Sequence, residues 1–134
     1  MDAQNIKDFS DLMKAVRRSL DEYLLIGDMH GAACAAGTLT SRINNLDKLV
    51  EAFETREPND KDRFEFTSLL STLEWLSTDT YCTKDFIGIK LVLPDTAFNA
   101  RYPNIATPGE IEYPVVMTML RSVALEIVLE GKPV

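Results

Sequence analysis

The fold class is decided by residues 8–27, which read DFSDLMKAVRRSLDEYLLIG. At 100° per residue the apolar side chains of this stretch form one stripe, and charged side chains occupy the opposite side. The stripe consists of Phe9, Leu12, Met13, Val16, Leu20, Tyr23 and Leu24. The pattern predicts an amphipathic helix, with Asp8 or Ser10 as its N-cap and Gly27 just after its last turn.

A second helix is predicted over residues 28–56. Its apolar stripe begins with small residues and continues with larger ones: Ala32, Ala35, Ala36, Leu39, Ile43, Leu46, Val50 and Phe53. Pro58 and Asn59 then break the helical pattern. Asp62, with Glu65 three residues later, resembles a capping box and predicts the start of a third helix.

The third helix is predicted to have two apolar faces. Its main stripe consists of Phe66, Leu69, Leu70, Leu73 and Leu76. Phe64 and Trp75 lie about 160–180° away from the centre of that stripe, with Ser68 and Ser71 between them. Two interpretations are open. The helix packs between neighbours on both sides, or the second face binds a partner, because aromatic residues are enriched at interfaces.

Residues 78–94 predict a β-hairpin with its turn at residues 83–85, because Ile87, Ile89, Leu91 and Leu93 alternate with other residues. Residues 94–114 contain four prolines and no clear period, which predicts a long loop. A last helix is predicted from about Pro114 to Gly131, apolar around most of its circumference and therefore central in the bundle or shared with another subunit. The predicted fold class is mainly α: residues 1–134 form a single globular helical domain, a small bundle of about four helices with room for one β-hairpin between the third and fourth.

Composition excludes several functions. The chain has 134 residues and a net charge of −7, which argues against direct binding to nucleic acid or to an anionic membrane. Neither a signal peptide nor a membrane-spanning run is predicted. The two cysteines, Cys34 and Cys82, are too few for a disulfide framework, so we expect reduced thiols and a cytoplasmic protein. No cofactor and no metal site are expected.

Residues 26–31, IGDMHG, resemble the first metal-binding motif of the calcineurin-like metallophosphoesterases. The resemblance implies that Asp28 and His30 would help to hold a dinuclear metal centre that activates water. It covers six residues, however, and that family needs further His ligands in a chain that here has one His in all. Helix capping is the favoured interpretation, with Gly27 ending one helix and Asp28 starting the next. A Cys–His pair of His30 with either cysteine is not excluded by spacing.

The acidity is local. Residues 51–85 hold nine acidic and four basic side chains, a net charge of −5. Most of these acids flank the turn between the second and third helices: Glu51, Glu54, Glu57, Asp60, Asp62 and Glu65. One interpretation is a solvated tip in which Arg56–Asp60 and Glu57–Lys61 neutralise each other at helical spacing. The other is an electronegative patch that attracts a basic partner.

The leading functional hypothesis is therefore a small, acidic, non-enzymatic protein that binds another macromolecule as an inhibitor, immunity factor, adaptor or regulator. Inhibitors encoded by phages have this general composition, so a phage protein is one interpretation. Its partner-binding residues would be Phe64, Trp75, Glu57, Asp60 and Asp62, covering a basic surface of another protein, and a homodimer is a further possibility. The alternative is a small-molecule or nucleotide-binding protein with a pocket at residues 94–114, where Arg101 and Tyr102 would meet the ligand. A weaker alternative is a metal-dependent phosphoesterase using Asp28 and His30.

Overall fold

A computed structural model describes residues 2–25, 27, 29–95 and 109–129. The helices are α1 (Ala3–Leu24), α2 (His30–Phe53), α3 (Asp60–Thr78), the short α4 (Thr80–Thr83) and α5 (Tyr113–Leu129). A 3-10 turn (Lys84–Phe86) follows α4, and the antiparallel strands β1 (Lys90–Leu93) and β2 (Gly109–Glu112) precede α5. The predicted fold class, a mainly α bundle with one small hairpin before the last helix, is confirmed.

Helices α1 and α2 pack antiparallel through their predicted apolar stripes. Ser10 near the start of α1 donates a hydrogen bond from Oγ to Oδ1 of Asp47 over 2.8 Å, while Arg17, further along α1, donates from Nε to Oγ1 of Thr40 over 3.0 Å. Residue numbers therefore rise on one helix as they fall on the other. The α1 stripe is almost completely buried, including Phe9 and Leu20 at 0% exposure.

The predicted start of α1 is wrong. The helix begins at Ala3, and its N-cap is Asp2, whose carboxylate accepts a hydrogen bond from the Gln4 backbone N–H over 3.1 Å. Asp8 and Ser10 lie inside the helix instead. The residues before Phe9 are mostly polar, so the apolar stripe alone does not reveal the extra turn.

Helices α3 and α5 form the other half of the bundle. The two halves share one core, in which the Phe9 and Phe66 rings lie 6.2 Å apart between centroids. Helix α5 begins at Tyr113, one residue before the predicted Pro114, and most of its circumference is buried. This burial fits the predicted central position, while Val115 and Leu129 stay about half exposed, and the predicted alternative of a helix shared with another subunit stays a prediction. None of the helices in the described ranges has the length and apolarity needed to cross a bilayer.

The first strand of the predicted hairpin is a short helix in the structure, and the second strand pairs with a later part of the chain. Residues 80–83 are helical, and the Asp79 carboxylate accepts a hydrogen bond from the Cys82 N–H over 3.1 Å and so caps α4. Strand β1 keeps the predicted burial of Leu91 and Leu93, but it pairs with β2, which comes from the end of the predicted 94–114 loop. Residues 96–108 of that loop lie outside the described residues.

Candidate interaction site

The turn between α2 and α3 is fixed by a reciprocal capping box. Asn59 Oδ1 accepts from the Asp62 N–H, and Asp62 Oδ2 accepts from the Asn59 N–H, each over 3.0 Å. The predicted box of Asp62 with Glu65 is therefore wrong by three residues. Both pairs fit the capping pattern, but α3 begins at Asp60, so Asn59 is its N-cap.

Arg56 completes this network by making two hydrogen bonds to the Asp62 carboxylate, one of them from Nη2 to Oδ1 over 2.9 Å. The hydrogen bonds from Arg56 and from the Asn59 backbone lower the pKa of Asp62 to about 2. Asp62 is only 3% exposed. Its carboxylate is therefore bound by Arg56 inside the turn and contributes little to the exposed acidic surface, while its role in partner binding stays a prediction. The predicted Arg56–Asp60 and Glu57–Lys61 spacing is not helical either, since α2 ends at Phe53.

Five other carboxylates around this turn stay exposed, and we call them the acidic tip: Glu51, Glu54, Glu57, Asp60 and Glu65. Within the described ranges, Glu57 and Asp60 form no salt bridge. Lys61 and Arg63 lie on the same turn of α3 and offset part of the negative charge. The acidic tip therefore keeps net negative charge in solvent, next to Phe64.

Phe64 and Trp75 lie on the side of α3 that faces away from the core. Phe64 is 74% exposed and Trp75 is 43% exposed, whereas Phe66 on the inward side is 1% exposed. The interpretation in which α3 packs between neighbours on both sides is therefore wrong for the described structure. The two aromatics are eleven residues apart, about 16 Å along the helix axis, and point in nearly the same direction.

Two serines separate these aromatics, and the four residues together form what we call the α3 face: Phe64, Ser68, Ser71 and Trp75. Ser68 is half-buried, and its hydroxyl donates to the Glu65 carbonyl over 2.7 Å and accepts from Arg42 Nη1 over 3.3 Å. Ser71 is exposed. The face therefore has an exposed aromatic side chain at each end and two small polar side chains between them.

A groove of about 360 Å³ runs between α2 and α3 beside this face. Its apolar lining includes Leu46, Leu49, Ala52 and Phe66, and its charged lining consists of three cations, Arg42, Lys48 and Arg56, and two carboxylates, Asp62 and Glu65. Arg56 is committed to Asp62, while Lys48 forms no salt bridge with the part of the chain that the structure describes. Sequence reasoning missed this groove, because its lining residues come from two helices and share no motif.

The other predicted site residues are not gathered into a site. Arg101 and Tyr102, predicted to bind a small molecule, and Asp28 of the metal motif all lie outside the described residues. His30 is the exposed first residue of α2, and the residues before the motif belong to helix α1 instead of a strand. Among the described residues, no three His, Cys, Asp or Glu side chains are close enough to hold a metal ion.

Cys82 does not have the environment of an activated nucleophile. Burial raises the pKa of the Cys82 thiol to about 12, and the adjacent Cys34 thiol adds to this rise. A catalytic thiol paired with a histidine needs the opposite shift. The Cys–His pair is therefore unsupported for Cys82.

Comparison of the chain with protein-family models, with curated proteins and with solved structures finds no match. The surfaces and charges of the described residues are therefore the basis for assigning a function. Of these surfaces, the α3 face with the acidic tip and the cationic groove beside it have the clearest chemistry.

Proposed function

We propose that this protein binds another protein through the α3 face, with the acidic tip directed at a basic surface of the partner. The single observation that carries the proposal is the exposure of Phe64 and Trp75 on one side of a helix whose other side is fully packed. Large aromatic side chains contribute strongly to protein interfaces, because each buries much apolar area at a small cost in side-chain entropy. Packing inside the monomer does not explain their exposure.

The charge around the α3 face favours a basic protein as the partner. The five exposed carboxylates of the acidic tip repel phosphates, so nucleic acid and anionic lipid are poor partners for this surface. A basic partner is attracted over several ångströms, which raises the association rate at low ionic strength. In this proposal the protein is a cytoplasmic inhibitor or regulator without catalytic activity, and it acts by covering the partner's basic surface.

The test uses immobilised full-length protein as bait in a lysate of its own host, followed by affinity measurement with the purified captured protein. Replacing Phe64→Ala and Trp75→Ala together should weaken binding by about 30-fold or more, the loss of one strong interface residue. Ile87→Ala is the matched control, because Ile87 is 83% exposed on a different part of the molecule. This control should bind like the wild type.

Charge reversal tests the electrostatic part separately. Glu57→Lys with Asp60→Lys should slow association and weaken its dependence on salt, with a smaller effect on dissociation. Two outcomes would contradict the proposal. One is a partner whose affinity is unchanged by the double aromatic variant. The other is a wild-type dimer in solution that Trp75→Ala converts to monomer, which would assign the α3 face to a second copy of this chain.

The groove between α2 and α3 supports a second candidate function, the binding of a small anionic molecule with an apolar body. Its volume of about 360 Å³ is within the usual range for ligand pockets, and in its lining apolar side chains are combined with more cations than carboxylates. The net charge of the chain is −7, so a groove lined by more cations than carboxylates differs from the rest of the protein. Arg42 and Lys48 would hold the anion, and Leu49 and Phe66 would contact the apolar part.

The groove is tested with anilinonaphthalenesulfonate, an anionic aromatic dye that fluoresces in apolar sites. We expect saturable binding with one dye per protein, weakened about tenfold by Arg42→Ala with Lys48→Ala. Lys7→Ala removes an exposed cation on α1 and should leave dye binding unchanged. Equal binding by all three proteins, or equal binding of the neutral dye Nile red, would contradict an anion-selective groove.

A further inference from the structure

The two cysteines of the chain come from distant parts of the sequence and meet inside the fold. Cys34 lies on the second turn of α2 and Cys82 lies in α4, and the turn of α2 that precedes Cys34 packs directly against Tyr81, the neighbour of Cys82. The Cys34 thiol also contributes to the raised pKa of Cys82. Both are free thiols in the structure. Cys82 belongs to the buried core at 0% exposure, while Cys34 is partly exposed and packs against that core. Cys34 is therefore the more accessible of the two residues, and Cys82 lies inside the core.

The backbone around this pair is fixed by contacts that do not involve the two thiols. Gly31, one turn before Cys34, lies so close to α4 that a Cβ atom there would collide with the Tyr81 carbonyl oxygen. The Asp85 carboxylate accepts a hydrogen bond from the Ala32 N–H over 3.1 Å and so caps α2 from the 3-10 turn. The Asp79 carboxylate accepts from the Cys82 N–H, also over 3.1 Å. These contacts hold α2 and α4 together at the position of the thiols.

We propose that Cys34 and Cys82 are an oxidation site that forms an intramolecular disulfide when the protein meets a peroxide. The Cys34 sulfur attacks one oxygen of hydrogen peroxide, giving the sulfenic acid of Cys34 and one water. The Cys82 sulfur then attacks the Cys34 sulfur, the S–S bond forms, and the hydroxyl group leaves as a second water after taking up the Cys82 proton. Two thiols are oxidised, and one peroxide is reduced to two waters.

The order of the two steps follows from access to solvent. Peroxide reaches Cys34 first, because Cys82 is buried. The raised pKa of Cys82 keeps this thiol protonated at neutral pH, so the second step is slow and accelerates as the pH rises.

The disulfide would close a loop that contains the whole of α3. It would tie α4, which directly follows α3, to the first turns of α2. The bond removes conformations mainly from the unfolded chain, so the oxidised protein should melt at a higher temperature, by about 5–15 °C. The disulfide forms whether or not the α3 face binds a partner.

The experiment treats the folded full-length protein with a small molar excess of hydrogen peroxide, then unfolds it in the presence of N-ethylmaleimide. We expect an intact mass lower by two hydrogen atoms, no maleimide adduct, and a non-reduced digest that contains a peptide linking Cys34 to Cys82. Dithiothreitol should restore two alkylatable thiols and the lower melting temperature. Cys34→Ser should block the bond and leave Cys82 alkylated once, with little cost to folding because position 34 is partly exposed.

Three results would overturn the proposal. The first is two maleimide adducts on the oxidised wild type. The second is a gain of oxygen atoms on Cys34 without loss of two hydrogens, which would place Cys82 out of reach. The third is a disulfide that appears only when oxidation is carried out in denaturant and that lowers the melting temperature. Cys82→Ala provides a second variant, because it keeps a small apolar side chain in the core while removing the resolving thiol.

Discussion

Helices α1 and α3 are of similar length and lie in the same core, but they use their apolar residues differently. In α1 the single stripe is absorbed by packing, and Phe9 is 0% exposed. In α3 the inward stripe is equally buried, yet Phe64 on the opposite side is 74% exposed. Both helices bury the residues that the fold requires. Only α3 carries large aromatics that the fold leaves unused.

The buried apolar residues of both helices are explained by the stability of the fold, whereas the exposed aromatics of α3 are not. Scattered exposed apolar side chains are common on protein surfaces and need no explanation. Two aromatics on one face of a well-capped helix that begins at the acidic tip form a defined surface instead. The comparison therefore supports α3, and not α1, as the helix that meets a partner.

The largest expected effect is the difference in stability between truncating Phe9 in α1 and truncating Phe64 in α3. Phe9→Ala should lower the free energy of unfolding by about 3–5 kcal/mol, because it leaves a cavity in the shared core. Phe64→Ala should change it by less than about 0.5 kcal/mol, because its ring already lies in solvent. Urea denaturation of both variants checks the difference. If Phe64→Ala cost as much as Phe9→Ala, the α3 face would be part of the core and the comparison would fail.

The contrast between α1 and α3 could be predicted from sequence, since it depends on local periodicity. The periodicity of the sequence predicts one apolar stripe in residues 8–27 and two apolar faces in the third helix. The exact starts of these helices were not visible. Asp2 caps α1 before its stripe begins, and Asn59 caps α3 because the chain turns there, while Asp62 with Glu65 fits the same pattern.

Contacts between distant residues could not be predicted. Strand β2 reads GEIE, which has little β propensity, and it is a strand because it pairs with β1. The burial of Asp62 depends on Arg56 reaching it across an irregular turn. Likewise, the meeting of Cys34 and Cys82 depends on how α4 packs against α2. In each case the deciding partner lies outside the local pattern.

The second prediction extends the comparison to α2, which contains a packed glycine and an open glycine. Gly31→Ala should lower the free energy of unfolding by about 2–3 kcal/mol, because the new Cβ would collide with the Tyr81 carbonyl oxygen and force α2 away from α4. Gly37→Ala meets nothing within 4 Å and should raise stability by up to about 1 kcal/mol through helix propensity. Thermal melting of the pair checks both signs. Equal effects at the two positions would mean that α4 does not pack on α2 as described.

The smallest expected effect is on the pH dependence of stability, and it concerns the start of α3. It distinguishes Asp62, which is buried in the turn, from the exposed carboxylates of the acidic tip. The pKa of Asp62 lies at about 2 in the folded protein against an ordinary value of 3.8, because Arg56 and the Asn59 backbone bind its carboxylate. As the pH falls, the unfolded chain therefore takes up this proton first. The stabilisation from Asp62 is complete above pH 3.8 and is lost as the pH falls towards 2.

Asp62→Asn should accordingly lower stability at pH 5 and flatten its decline between pH 4 and pH 2, measured by urea denaturation across that range. Asp60→Asn is the matched control, because Asp60 is exposed and forms no salt bridge with a described residue, and it should leave the stability at pH 5 nearly unchanged. If Asp62→Asn kept the acid decline of the wild type, Asp62 would not be neutralised by Arg56. Asp62 would then belong with the exposed carboxylates that are proposed to face the partner, and not with the residues that hold the turn together.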